Sequence, residues 1–315
     1  MDKAGVKAAL KTAGLARLIK DIDYIARPSI RLYATPVHES ALKVGASKLG
    51  GLPDLPPGTK WPECNGLPQS FIAQVHLDDI RSYDSDNVLP HNGTLWLFYD
   101  AQQQTFGDSP SNLGCWQVSF VNDDSTPLQR TSAPTQFPAS SQFKACSLRF
   151  ASEMTLTQHP ELDVPNFDWT DEEQQKYENL LSTFPDPADR AAIHHRLLGY
   201  PDAIQDDMRQ ECQLASHGIS VTDIDYSDPR IAELSKGDKD WHLLLQIDAD
   251  EHAGMRWGNS GTIYYWMKQE DLQAHRFDAG NAMGARHRAS AQEEALIEIK
   301  KRDRARTRAR ARKKD

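Results

Sequence analysis

The chain has 315 residues and a formal net charge of −9, with 36 Lys+Arg against 45 Asp+Glu. Residues 300–315 hold ten Lys/Arg and two Asp, a net of +8, so the other 299 residues carry 26 basic and 43 acidic groups, a net of −17. An acidic body excludes a general nucleic-acid-binding domain with a basic face, and 39% apolar residues gathered into blocks exclude a wholly disordered chain.

No apolar stretch approaches the ~18–20 residues of a membrane span, so no membrane partner is expected. Asp2, Lys3, Lys7, Lys11, Arg17 and Lys20 interrupt the N-terminus, which leaves no signal-peptide apolar region. Cys64, Cys115, Cys146 and Cys212 lie far apart without a C-x-x-C. That spacing predicts reduced thiols and a cytoplasmic protein rather than a disulfide framework or a zinc ribbon.

In chain order, residues 2–25 read as a helix: Leu15, Leu18, Ile19, Ile22 and Ile25 recur at helical spacing, and Pro28 ends it. Ser29–Ala34 alternates like a strand. The Gly/Pro-rich stretch 50–68 is unsuited to a helix. Phe71–Leu77, Thr94–Tyr99, Trp116–Val121 and Phe143–Phe150 read as strands, with Gly93 after Pro90-His91-Asn92 as a turn and 122–142 as a long polar loop. Thr170 and Glu173 form a capping-box pattern opening a helix that runs to Phe184, before Pro185. Asp186–Leu198 and Asp206–Ala215 are further predicted helices. Trp241–Asp248 and Thr262–Met267 are predicted strands, the second fed by a turn at 258–261, and Gln269 starts a short helix. Ala289–Ile299 reads as a helix running into the basic tail.

Three blocks recur in the same order. Leu49-Gly50-Gly51-Leu52-Pro53-Asp54 is echoed by Leu198-Gly199-Tyr200-Pro201-Asp202. Phe71-Ile72-Ala73-Gln74-Val75-His76-Leu77-Asp78 is echoed by Leu243-Leu244-Leu245-Gln246-Ile247-Asp248-Ala249-Asp250. Gly93-Thr94-Leu95-Trp96-Leu97-Phe98-Tyr99 is echoed by Gly261-Thr262-Ile263-Tyr264-Tyr265-Trp266-Met267. The mixed order of strands and helices predicts an α+β fold with mixed, largely antiparallel sheets, built from two diverged, internally similar halves with flanking helices. The expected organisation is an N-terminal helix over 1–26 and a domain over 27–285. Its halves span about 27–150 and 190–285, joined by a helical connector over 165–200. A helix over 286–315 runs into a disordered basic tail.

The same blocks carry a family resemblance. Ser47-Lys48-Leu49-Gly50-Gly51-Leu52-Pro53, Trp61-Pro62 and Phe71-Ile72-Ala73-Gln74-Val75 resemble the YwqG-like family, a bacterial domain of unknown function. So do Leu198-Gly199-Tyr200-Pro201-Asp202, Leu244-Leu245-Gln246-Ile247-Asp248 and Trp257-Gly258 with Gly261-Thr262-Ile263-Tyr264. The resemblance covers roughly residues 30–275. It implies a mixed α+β fold and transfers no catalytic residue.

A groove between two halves is the natural ligand site. Its expected walls are Asp54, Gln74, Asp202 and Gln246, with Trp61 and Trp257, which stand in Gly/Pro-rich loops, as aromatic contacts. The Gly50–Asp54 turn makes a poor phosphate cradle, because Pro53, Pro56 and Pro57 remove donors and block a helix. Asp78, Asp248 and Asp250 are weak candidates for a hard-cation site, so no metal and no cofactor are expected. His194-His195, placed on a helix, point about 100° apart and cannot share a metal. No G-x-S-x-G, Walker A or G-x-G-x-x-G pattern occurs. The expected function is therefore non-catalytic recognition: a basic protein or a small ligand bound between the halves, in a regulatory or toxin-neutralising role. The alternative is a hydrolase or other enzyme using clustered acids with a divalent cation. The tail Arg302–Lys314 is expected to give at most weak contact with nucleic acid or an acidic partner.

Overall fold

The computed structural model describes residues 1–283, apart from 205, 222–223, 259–260 and 280. The predicted helix over 289–299 and the basic tail lie outside the described residues.

Ten strands form one sheet. They are β1 (Ala26–Pro36), β2 (Lys48–Leu49), β3 (Ser70–His76), β4 (Thr94–Tyr99), β5 (Trp116–Val121), β6 (Cys146–Leu156), β7 (His195–Leu197), β8 (Trp241–Asp248), β9 (Thr262–Lys268) and β10 (Asn281–Met283). Their spatial order is β10-β9-β8-β7-β1-β6-β2-β3-β4-β5, and each pairing is antiparallel. The fold is α+β. At the centre, β1 and β6 pair along their whole length, from Ala26↔Leu156 to Pro36↔Cys146. Outward from this pair the two sides match strand for strand, with β2, β3, β4 and β5 answered by β7, β8, β9 and β10. Each side therefore begins with a strand borrowed from the other part of the chain: β7 pairs with β1, and β2 pairs with β6. The strand correspondence starts the second side at Cys146, ahead of the helical insertion.

The match extends to irregularities. The register of β3 against β4 shifts between Phe71 and Ala73, and that of β8 against β9 shifts between Leu243 and Leu245. Gly50 N–H donates to the Ile72 carbonyl, as Leu198 N–H donates to that of Leu244. These contacts move the echo by one residue. Leu49 answers Leu197, and Gly50 answers Leu198 rather than Gly199. Gly50 has φ 62° and Leu198 φ 61°, so a leucine adopts the left-handed backbone that glycine holds on the other side.

The strands are apolar because the sheet is covered on both faces. All six residues of β4 are buried. Leu95, Leu97 and Tyr99 point to the inner face, with Ile30, Leu32, Val75, Leu197, Leu245, Ile263 and Tyr265 in one core shared by both sides. The sheet curls around this core: Tyr265 Oη of β9 donates to the Phe98 carbonyl of β4 at 3.0 Å. The outer face has two separate apolar patches, Phe71, Trp96 and Phe98 with Leu55 on one side and Trp241, Leu243, Tyr264 and Trp266 on the other.

Helices pack around the sheet, among them α1 (Lys3–Thr12), α2 (Asp171–Leu181), α3 (Arg209–Ser216) and α4 (Gln269–Gln273). The capping box at Thr170 and Glu173 is present. Residues 2–25 are not one helix: α1 stops at Thr12, and Gly14 takes φ 73° before two shorter helical turns. The burial pattern holds nonetheless, since Leu15, Leu18, Ile22 and Ile25 pack with Met154, Leu156, Tyr177 and Phe184. The helix expected over 186–198 is confined to Pro187–Arg190, and His195 lies in β7, where the partner strands β1 and β8 override local preference. Cys64 and Cys115 form a disulfide, which corrects the expectation of four reduced thiols; Cys146 and Cys212 are buried thiols. The sequence separation of 51 concealed the pairing, which depends on tertiary contact.

A Cβ on Gly50 would lie 2.4 Å from the Lys144 carbonyl oxygen, whereas one on Gly58, at φ 83°, would meet nothing within 4 Å. Gly58→Ala should cost about 1–2 kcal/mol from backbone strain alone. Gly50→Ala should cost about 3 kcal/mol or more in urea unfolding, because backbone must move as well; equal losses would show that the close approach is relieved without cost.

Candidate functional site

The turn after β2 places Asp54 beneath the outer face of β3. Its Oδ2 accepts from Lys48 Nζ at 2.8 Å, Gln74 Nε2 at 3.1 Å and Gly45 N–H at 3.0 Å, and its Oδ1 accepts from Arg130 Nε at 2.8 Å. Gln74 Oε1 accepts from Asp54 N–H and from Trp96 Nε1, and its Nε2 also donates to the Ala46 carbonyl. Asp54, Lys48 and Gln74 are fully buried. Burial alone would raise the Asp54 pKa, but the bonds from Arg130 and Lys48 hold it below the usual carboxylate range.

The second side repeats this lock with different surroundings. Gln246 Oε1 accepts from Asp202 N–H at 2.9 Å, and its Nε2 donates to the His194 carbonyl at 2.9 Å. Tyr264 Oη donates to the Asp202 carbonyl, as Trp96 Nε1 does to that of Asp54. Arg196 stands in the place of Lys48, with Nη2 2.9 Å from Asp202 Oδ2. Arg190 and His194 Nδ1 also engage the Asp202 carboxylate. Burial would raise the Asp202 pKa, but Arg196, His194 and Arg190 hold it well below the usual range. Its side chain is 24% exposed, against 0% for Asp54.

The expected wall residues thus fall into separate places. Asp54 with Gln74 and Asp202 with Gln246 are two locks, one on each side of the sheet, and their polar groups are occupied within the protein. Trp61 is half-buried, donates Nε1 to the Gln69 carbonyl and packs edge-on to Phe98 and Phe137. Trp257 is fully buried in the shared core, edge-on to Phe143 and Tyr99. The Gly50–Asp54 turn has no donors to spare: the Leu52 N–H holds Glu39 Oε2, and the Asp54 N–H holds Gln74.

The weak metal candidates are likewise apart. Asp248 accepts from His194 N–H, Gln246 Nε2 and Thr262 Oγ1. Asp250 pairs with His195 Nε2 and accepts from His252 N–H. Burial would raise the Asp250 pKa, but the His195 bond brings it down to about 2. Asp78 is exposed at the end of β3 in the other half. Among the described residues, no group of three or more His, Cys, Asp or Glu could hold a metal ion.

An open pocket of about 400 Å³ does lie between the halves, at another position. Its walls come from Arg27 and Ile30 of β1, His242 and Leu243 of β8, Leu272 of α4, and the loop Tyr83–Val88 of the first half. Arg27 Nη1 lies 2.9 Å from His242 Nδ1, and its guanidinium stacks over Tyr200, 4.4 Å from the ring centroid. Arginine only donates, so His242 Nδ1 accepts and the ring proton sits on Nε2. Burial, together with the charges of Arg27 and Arg209, holds the His242 pKa down to about 3, which keeps the ring neutral near pH 7. Among the described residues, no carboxylate pairs with Arg27. Neither Arg27 nor His242 belongs to a sequence motif. The available hint was a single histidine beside the apolar run Leu243–Leu245 of a predicted strand.

Two half-buried histidines set opposite limits on stability. His159 Nε2 lies 3.2 Å from Asp206 and Nδ1 3.1 Å from Glu161; burial would lower its pKa, but these partners raise it to about 9. Its contribution is complete below about pH 6.5 and is lost as pH rises from 6.5 to 9. His242 contributes above about pH 6.5 and loses that contribution as pH falls from 6.5 to 3. Chemical unfolding followed across pH should show His159→Gln flattening the alkaline limb and His242→Gln the acid limb. Unchanged limbs would refute both assignments.

The comparisons with known proteins give no activity. No curated protein matches the chain. Residues 47–282 match a family described as a domain of unknown function, DUF1963. That span holds both locks and all but the first strand of the sheet, so the chain belongs to the DUF1963 family.

Proposed function

We propose that this protein is a non-catalytic recognition protein that binds a small anionic ligand in the pocket between its halves, at Arg27 and His242. The observation that carries this reading is Arg27. Its guanidinium lines an open pocket of ligand size, fixed by His242 and Tyr200, with no carboxylate among the described residues to neutralise it. A half-buried cation held in place without a counter-ion is prepared for one. The matched halves fit two diverged copies of one unit, and the pocket lies where they meet.

Titration calorimetry with a panel of small carboxylates and phosphates should find binders. Arg27→Met should weaken them about 10- to 100-fold, the value of a charged hydrogen bond. No binder, or equal binding by the variant, defeats the reading.

A second reading rests on charge. The net of −17 outside residues 300–315 suits a cationic protein partner, because complementary charge speeds encounter. Such binding should survive chelator and weaken steeply between about 50 and 200 mM salt; salt-independent binding would count against it. No helix among the described residues is long and apolar enough to cross a membrane. A cytoplasmic location is part of the proposal, and the Cys64–Cys115 bridge weighs against it, since disulfides persist mainly in oxidising compartments.

A further inference from the structure

The two halves meet at two equivalent mouths, and only one contains the open pocket described above. Arg31 pairs with Arg196, and Ser147 pairs with Lys48. Because Lys48 and Arg196 hold equivalent places, so do Ser147 and Arg31. Four residues back along the chain lie Phe143, just ahead of β6, and Arg27 of β1. By the same alignment, Gly50 and Gly51 answer Leu198 and Gly199, and Phe71 answers Leu243. The pocket lined by Arg27, Leu198, Gly199 and Leu243 therefore has a counterpart built on Phe143, Gly50, Gly51 and Phe71.

In that counterpart the protein supplies its own filling. The connection between β8 and β9 reaches across to the first half, where the Ala253 carbonyl accepts from Lys144 N–H at 2.8 Å. It inserts Trp257, fully buried, with its ring centroid 5.3 Å from that of Phe143 and 6.1 Å from that of Tyr99. The equivalent connection, between β3 and β4, lies across the pocket from the second half. It brings Tyr83, Asp84, Ser85, Asp86 and Val88 to the rim, and about 400 Å³ is left between it and β1. Where one mouth has Phe143 against an indole, the other has Arg27 beside an open space.

We propose that this space takes an aromatic carboxylate. Its planar ring, of about the size of indole, occupies the place that Trp257 fills in the other mouth, and its carboxylate lies on Arg27 and on His242 Nε2–H. The proposal rests on the pocket being a ligand site, and it names the class of ligand. Apolar side chains of the inner core line the ring position: Ile30, Leu198 and Leu272, with Tyr83 and Val88 at the rim. A flat ring there would meet aliphatic and aromatic edges, as Trp257 meets Phe143 and Tyr99. None of the three rim acids pairs with Arg27: Asp23 is paired with Lys3 at 2.7 Å, Asp84 accepts from Leu89 N–H at 2.8 Å, and Asp86 accepts from Ser85 Oγ at 3.5 Å. Both donors at Arg27 and His242 are fixed before a ligand arrives, which lowers the cost of ordering them.

Indole-3-propionate serves as the probe, with propionate and indole as its two fragments, titrated by calorimetry into the full chain. The expected result is binding of the probe at least 100-fold tighter than of either fragment, reduced at least tenfold by Arg27→Met. Val88→Trp, which plugs the mouth from its rim, should abolish probe binding; Ser85→Trp does the same from the adjacent position if the first variant fails to fold. Probe and propionate binding equally, and both weakened by Arg27→Met, would overturn the aromatic class and leave the small-anion reading intact. No binding by any of them at millimolar concentration would overturn both. Undiminished binding to the plugged variant would place the probe elsewhere and overturn the proposal.

Discussion

The architecture depends on the exchange of β1 and β6. Each half is completed by a strand from the other part of the chain, and the two exchanged strands pair with each other over eleven residues. An edge at either strand would leave a row of unpaired N–H and C=O groups on an apolar surface. Pairing them removes both edges and fuses two five-stranded units into one sheet. The shared inner core is a consequence, since the sheet can then curl until β9 bonds to β4. The equivalent mouths are another. The chain reversals after β2 and β7 bring the two connecting loops, between β3 and β4 and between β8 and β9, over the opposite half.

Within that frame, each half repeats one polar device and alters its surroundings. A carboxylate just beyond the left-handed turn is tied through its own N–H to a buried glutamine, and a cation on the short strand neutralises it. Breaking such a pair leaves a buried charge without a partner, at a cost of about 3–5 kcal/mol. This device fixes where the turn meets the sheet, so Asp54 and Asp202 explain rigidity better than ligand capture. The first copy is sealed by Arg130 and Glu39. The second is surrounded by Arg190, His194 and Arg196 and stays partly open. The difference lies in the loops, which are the parts of a fold that tolerate change most readily.

Much of the fold was legible in the sequence. Trp116–Val121 and Trp241–Asp248 were readable to the residue, because aromatic and branched apolar residues at strand spacing stop at turn residues. Thr262–Lys268 extends the predicted strand by one residue. The turn motifs at Asp54 and Asp202 and the glutamines at 74 and 246 were visible as echoes, and the structure joins each Asp to its Gln. Short strands were not visible. Lys48–Leu49 is only two residues long, and His195–Leu197 carries a histidine and an arginine that pair with carboxylates far away in sequence. The exchange of β1 and β6 is a non-local pairing that no local pattern encodes. Arg27 and His242, 215 residues apart, become a pair only when β1 and β8 are brought to either side of β7.

The asymmetry of the mouths is what separates packing from binding. A protein interior closes its voids, and an unfilled apolar space forfeits dispersion contacts on its whole lining. Two halves with the same strand plan would be expected to fill both mouths alike. One is filled with Trp257 against Phe143. The other replaces Phe143 with Arg27, orients it with His242, and omits the indole. A void alone would be a packing defect, and a lone arginine would be a solvated charge. Their coincidence at the position that Trp257 fills in the other half is what favours the proposed binding site over either.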